Sequence, residues 1–184
     1  MRVLVIQSSP NRDGLTAACA AAAAEGARGA GAEVEDVRLN DLGIGPCRAC
    51  GNGSGPCRTE HRCQHGDDGF AALHERAATA ELLVIVTPVY WGEPSESAKA
   101  FFDRLRRCEG PRRDESAFAG KWALVVAAAG GSGNGTLTCL SSLERLLFHV
   151  RARPFDLIGI TRRSREYTLE AIRRAAAAMV AAGA

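Results

Sequence analysis

Residues 81–107 read ELLVIVT-PVYWGEP-SESAKAFFDRLRR. The first seven, 81–87, form an apolar, β-branched run that suits a strand buried on both faces. Residues 88–94 interrupt it with two prolines and a glycine, the punctuation of a tight loop. Residues 95–107 then place apolar side chains three to four apart, the period of a helix with one buried face. Strand, loop and helix make one arm of a βαβ unit, and the same order recurs on both sides. Upstream, the strand run 2–7 (RVLVIQ) precedes an alanine-rich helix at 16–29, and 33–39 (EVEDVRL) alternates as an outer strand does. Downstream, 121–129 (KWALVVAAA) leads into a helix at 136–150, and 154–161 (PFDLIGIT) into a closing helix at 165–182. Such alternation predicts a parallel α/β sheet covered on both faces, and right-handed crossovers leave few topologies.

The 184 residues, 46% hydrophobic and 24% charged, suit one soluble globular domain over 1–184 with a cysteine-rich insertion at about 43–68. That balance excludes a disordered chain. No apolar run reaches the roughly 20 residues that span a bilayer, and the opening MRVLVI lacks the apolar core and cleavage site of a signal peptide. A cytoplasmic protein without a membrane partner is expected. The net charge of +2 is too mild to demand a nucleic acid, which leaves small molecules as the expected partners. Seven cysteines, an odd number in a chain without a signal, favour free thiols and a ligand set over paired disulfides.

Ligands of open α/β sheets sit outside the carboxyl ends of the strands, so three loops matter most. The loop 8–16 (SSPNRDGLT) offers hydroxyls, Arg12 and Gly14 at a helix start, a ready phosphate site. It carries neither a Walker loop nor a G-x-G-x-x-G, which favours a single terminal phosphate. The plainer alternative is a capped helix with Thr16 or Asp13 as N-cap. In the loop 88–95, Tyr90 and Trp91 suit the border of a flat ring, or else cover the core or a subunit interface. The loop 130–135 (GGSGNG) lets the backbone come close to a ligand, or is simply a mobile surface turn. Three such loops on one edge suit a mononucleotide.

The motif T-P-V-Y-W-G-x-x-S at 87–95, followed by K-A-F-F-D-R-L at 99–105, resembles the flavin-ring loop and following helix of the NADPH-dependent FMN reductase family, and specifically its iron–sulfur flavoprotein branch. The resemblance runs from residue 2 to 107 and more loosely to 150. It implies a flavodoxin-like, doubly wound, three-layer αβα fold with five parallel strands in the order 2-1-3-4-5. It further implies non-covalent FMN, its phosphate touched by Ser9, Asn11, Leu15 and Thr16. Asn11 stands where the family usually has arginine and Leu15 where it has asparagine, with Arg12 available to supply the charge. By the same resemblance Pro88, Val89, Tyr90, Trp91 and Gly92 line the ring, and Gly130 and Gly131 approach it. The implied activity passes electrons from NAD(P)H through FMN to a small-molecule acceptor such as a quinone, in a homodimer or homotetramer. Since the flavin carries the chemistry, no acid–base residue is assigned. The alternative is a non-enzymatic flavin electron carrier or redox sensor.

Cys47-x2-Cys50-x6-Cys57-x5-Cys63 sets four thiols in one short segment. The residues themselves suit an iron–sulfur cluster, a zinc site drawing on His61 or His65, or a redox disulfide between Cys47 and Cys50. The resemblance implies a [4Fe-4S] cluster, although the family spacing is the tighter C-x2-C-x2-C. Cys19, Cys108 and Cys139 fall in helical patterns and read as small core residues. Asp67 and Asp68 read as capping the helix before the third strand. Arg104, Arg106, Arg107, Arg112 and Arg113 read as a solvated face, with NADPH phosphates as the alternative role, and Arg162, Arg163 and Arg165 read the same way. His74 and His149 have no evident partner.

Overall fold

The three most apolar runs occupy the middle of the sheet. β1 (Arg2–Gln7), β3 (Leu82–Tyr90) and β5 (Trp122–Ala129) lie side by side, flanked by the more exposed β2 (Glu33–Arg38) and β6 (Arg153–Thr161). The order is β2-β1-β3-β5-β6, all parallel. The expected five-stranded 2-1-3-4-5 sheet is therefore present, with one addition. A two-residue strand, β4 (Glu93–Pro94), folds back antiparallel on the end of β3. This computed structural model describes residues 1–66 and 68–183. Asp67, read above as a helix cap, lies outside the described residues.

Alternate side chains of each central strand enter opposite cores. Val3, Val5, Val84, Val86, Leu124 and Val126 face α1 (Leu15–Gly29) and α6 (Arg165–Gly183). Leu4, Ile6, Leu83, Ile85 and Val125 face α3 (Phe70–Thr79), α4 (Glu96–Glu109) and α5 (Thr136–Val150). The two sides differ in texture. The α1–α6 side is alanine-rich, and the helices approach so closely that a Cβ on Gly26 would lie 2.0 Å from the Arg173 carbonyl oxygen. The other side is filled by Phe70, Phe101 and Phe118, all fully buried, each contributing about 2–3 kcal/mol of apolar burial. The cysteine segment lies over this second side, where Leu42, Ile44, Cys57 and Cys63 pack against the core.

β3 runs three residues beyond the strand expected at 81–87, because β4 supplies ladder partners: Val89 pairs Pro94 and Tyr90 pairs Glu93. Trp91 and Gly92 form the two-residue turn between them, both at positive φ, 54° and 81°. That is the signature of the type I′ hairpin turn. Ser95 then caps α4, accepting from the Ala98 N–H at 3.4 Å, while Arg106 and Arg107 in the last turn complement the helix dipole. Among the described residues, no helix is long and apolar enough to cross a membrane.

Candidate functional site

The loop after β1 is held from two directions. Ser95 Oγ and Ser97 Oγ, at the start of α4, donate to the Ser8 carbonyl at 2.9 and 3.2 Å. Arg38, at the end of β2, donates through Nη2 to the carbonyls of Ser9 and Pro10 at 3.3 and 3.4 Å. Thr87 Oγ1 accepts from the Ser95 N–H at 3.1 Å, which ties the end of β3 to the same cluster. A cavity opens at this carboxyl edge. Its lining comes from Ser9, Asn11, Gly14, Leu15 and Thr16, from Pro88, Val89 and Tyr90, and from Ala128, Gly130 and Arg162.

The cap of α1 is not Thr16 or Asp13, as the plainer sequence reading had it. Gly14 is the N-cap, and no side chain accepts from the first-turn amides there. A helix start left without a side-chain acceptor suits an anion, since those N–H groups and the helix dipole both favour negative charge.

Eight of the twelve residues singled out from sequence for FMN line this one cavity: Ser9, Asn11, Leu15, Thr16, Pro88, Val89, Tyr90 and Gly130. The other four lie elsewhere. The Arg12 side chain is solvent-exposed and pairs with Asp41 at 2.9 Å. Trp91 stands fully exposed at the tip of the hairpin turn. Gly92 packs on Gly135, where a Cβ would lie only 2.5 Å from Gly92 Cα. Gly131 is outside the lining. Gly14, read from sequence as part of the phosphate loop, lines the cavity too; sequence reasoning missed Ala128, and it missed Arg162, the sole cation among the described residues that line the cavity. The available signal was position: Arg162 directly follows β6, on the same carboxyl edge as the other loops.

Trp91 also carries strain. A φ of 54° is unusual for any residue with a side chain and costly for a bulky one. The exposed ring is presented by a conformation that asparagine or glycine would adopt more easily.

The four clustered cysteines line a second, smaller cavity together with Gly55, Pro56, His65, Arg104 and Arg107. Ala49, Gly51 and Asn52 all adopt left-handed conformations, coiling the chain tightly around Cys50 in the single turn α2 (Cys50–Gly53). Cys50 Sγ lies 3.1 Å from His65 Nε2, whereas His61 turns away, its Nδ1 3.2 Å from the Cys108 carbonyl oxygen. All seven cysteines are free of disulfides. Cys19, Cys108 and Cys139 are buried, and burial pushes each thiol up to about 12, consistent with core packing.

The solvated reading of the 104–113 arginines fails at Arg104. This side chain is 2% exposed. Its Nε donates to Cys63 Sγ at 3.3 Å, Nη1 to the Gly45 carbonyl at 3.2 Å and to Asp68 at 2.5 Å, and Nη2 to the His65 carbonyl. The guanidinium also lies over the Phe70 ring, 4.2 Å from its centroid. One buried arginine thus fastens both ends of the cysteine segment to α4. Asp68 is chiefly its partner. The aspartate still accepts from the Phe70 N–H at 3.4 Å, but it also takes the Gly45 N–H at 3.0 Å. Burial pushes the Asp68 carboxyl up, yet Arg104 and the Gly45 and Phe70 amides outweigh burial and hold it below its ordinary range. His74 has a partner after all: Nε2 lies 2.8 Å from Oε1 of the buried Glu109, which also accepts from Ser116 and the Ala117 N–H.

Comparison with known proteins gives the same outline. A family model described as NADPH-dependent FMN reductase matches residues 1–158. An iron–sulfur flavoprotein of Methanosarcina thermophila is 30% identical over 135 residues, which is 73% of this chain and 66% of that protein. An iron–sulfur flavoprotein of Archaeoglobus fulgidus is 32% identical over 106 residues, 58% of this chain and 49% of that one. The matched region thus spans half to just under two-thirds of these relatives' own length. Among solved structures, an NAD(P)H:quinone oxidoreductase from Methanothermobacter marburgensis superposes with a TM-score of 0.71 at 18% identity, over 96% of both chains. At that identity the likeness concerns the fold.

Proposed function

This chain belongs to the NADPH-dependent FMN reductase family, and from that premise we propose that it is an FMN-dependent oxidoreductase fed by NAD(P)H. The observation that carries the reading is the cavity at the carboxyl edge, where the uncapped start of α1 faces the ends of β3 and β5. Bound FMN supplies the exchange between hydride transfer and electron release in ones or twos. The protein's part is binding and electrostatics. The first-turn amides of α1, with Ser9 and Thr16, would hold the phosphate, and Arg162 would neutralise its charge. Pro88, Val89, Tyr90 and Gly130 would border the ring, with main-chain N–H groups at 89–90 and 130 opposing negative charge on it.

Cys47, Cys50, Cys57 and Cys63 would hold a [4Fe-4S] cluster. The four thiols line one small cavity together, and a cluster with a thiolate at each corner is the group that draws on all four. The acceptor we propose is a small molecule such as a quinone. A second copy of the chain would cover Trp91 and Leu137, both exposed beside the Gly92–Gly135 contact.

The test is an anaerobic titration of FMN-loaded protein with NADPH and, separately, with NADH. Bleaching of the flavin band near ~450 nm, reversed by added benzoquinone, is the expected result. If neither nucleotide bleaches the band while dithionite does, the chain is a flavin carrier or sensor and the enzymatic reading is wrong.

A further inference from the structure

We propose that the cleft where α4, α5 and the following 3-10 turn (Gly110–Glu115) meet is a second ligand site, specific for the phosphate end of a small organic phosphate. Four arginines, Arg58, Arg106, Arg107 and Arg113, line it together with His149, around a volume of about 310 Å³, and no carboxylate is among the lining residues. Like charges gathered in this way repel one another unless an anion joins them. Of the acids nearby, Glu109 lies 3.8 Å from Arg112, Asp114 lies 3.6 Å from Arg151 and Asp103 lies 3.8 Å from Lys99, none of these cations belonging to the cleft. Among the described residues, Arg58, Arg106 and Arg113 form no ion pair, and Arg107 donates only to the Gly53 carbonyl.

A second observation concerns the backbone. Arg113 adopts φ 53°, ψ −122°, a conformation that glycine fills in type II′ turns. Strain of this kind persists where the surrounding structure enforces it, and it clusters at ligand clamps. Here it sets Arg113 in the lining of the cleft. Guanidinium forks match phosphate oxygens in pairs, so phosphate is the anion this lining suits best.

The cleft shares Arg106 and His149 with a groove of about 300 Å³ between α4 and α5, where Phe102, Leu143 and Leu146 alternate with the charged Glu93, Lys99, Asp103 and Arg145. An anionic head on the arginines would leave the ligand's body lying along that groove, where a flat, polar-edged ring meets both the apolar and the charged side chains. The site is separate from the flavin cavity. Arg106 is eleven residues beyond the Ser95 cap, roughly 16 Å along α4, so a phosphate in the loop after β1 cannot fill both. The proposal does not depend on the flavin reading.

Isothermal titration of inorganic pyrophosphate and of ADP into FMN-saturated protein, at fixed ionic strength, tests it. One saturable site per chain is expected, with ADP binding more tightly than pyrophosphate. Arg113→Gly, which suits the local backbone and keeps the fold, should weaken both at least tenfold, and Arg106→Ser should do the same. An anion held by the loop after β1 would be indifferent to either change. Absence of a saturable heat, or unaltered affinity in both variants, overturns the site. ADP binding no more tightly than pyrophosphate overturns the assignment of the groove to the ligand's body.

Discussion

Replacing Arg104 by methionine removes the guanidinium that joins the cysteine segment to α4 and strands a carboxylate. In the wild type, Arg104 is 2% exposed, and it bonds Asp68, the Gly45 and His65 carbonyls, and Cys63 Sγ. Breaking a buried ion pair from one side costs about 3–5 kcal/mol. The Asp68 side chain retains 24% of its exposure, so water recovers part of its solvation, and methionine keeps the contact with Phe70. Both effects place the loss at the low end, about 3 kcal/mol. In a domain of this size each kcal/mol lowers Tm by about 2–4 °C, giving a drop of about 6–12 °C from a fold that stays intact at 25 °C. Thermal and urea melts at pH 7 measure it, alongside Asp68→Asn and the double variant. Because the two substitutions remove one shared interaction, the double variant should lose less than the sum of the singles, by about 1–3 kcal/mol. A Tm for Arg104→Met within about 1 °C of wild type, or strict additivity, would refute the reasoning.

Three further outcomes follow from the same geometry. Asp68 and Glu109 are both held below the ordinary carboxylate range, burial being outweighed by Arg104 in one case and by His74 and Ser116 in the other. A depressed folded-state pKa adds stability above the unfolded value that is lost as pH falls through the folded one, so urea midpoints should hold from pH 7 to about 5 and drop below about pH 4. Gly135→Ala would place a Cβ 2.5 Å from Gly92 Cα at φ 80°. One of the two backbones must shift, so Tm should fall by about 2–4 °C for each kcal/mol lost in a thermal melt. Trp91→Asn relieves the positive φ of the hairpin turn, so Tm should rise while turnover falls, an exchange common where strain serves a site.

The framework was legible because β1, β3 and β5 are buried on both faces and write that burial as unbroken apolar runs. β4 was not, being two residues whose only ladder is with the end of β3. The loops around the carboxyl-edge cavity were legible from their place after strands. Its arginine was not, since Arg162 sits in a run of arginines that reads as solvated charge. Arg104 was hidden in the same way, although helical spacing gives a clue: it lies three residues after Phe101 and four before Cys108, on the buried face of α4. Its partnership with Asp68 joins residues 36 apart and only the fold reveals it.

The most direct test of the account is an anaerobic absorption spectrum of freshly purified protein, with FMN, iron, sulfide and zinc assayed on the same sample. Flavin bands near ~375 and ~450 nm, a broad shoulder near ~400 nm, and about four irons and four sulfides per chain are expected. Zinc in place of iron, or no metal, would contradict the cluster at Cys47, Cys50, Cys57 and Cys63. A chain that carries no FMN and takes up none when it is added would contradict the assignment of the carboxyl-edge cavity, and with it the central claim.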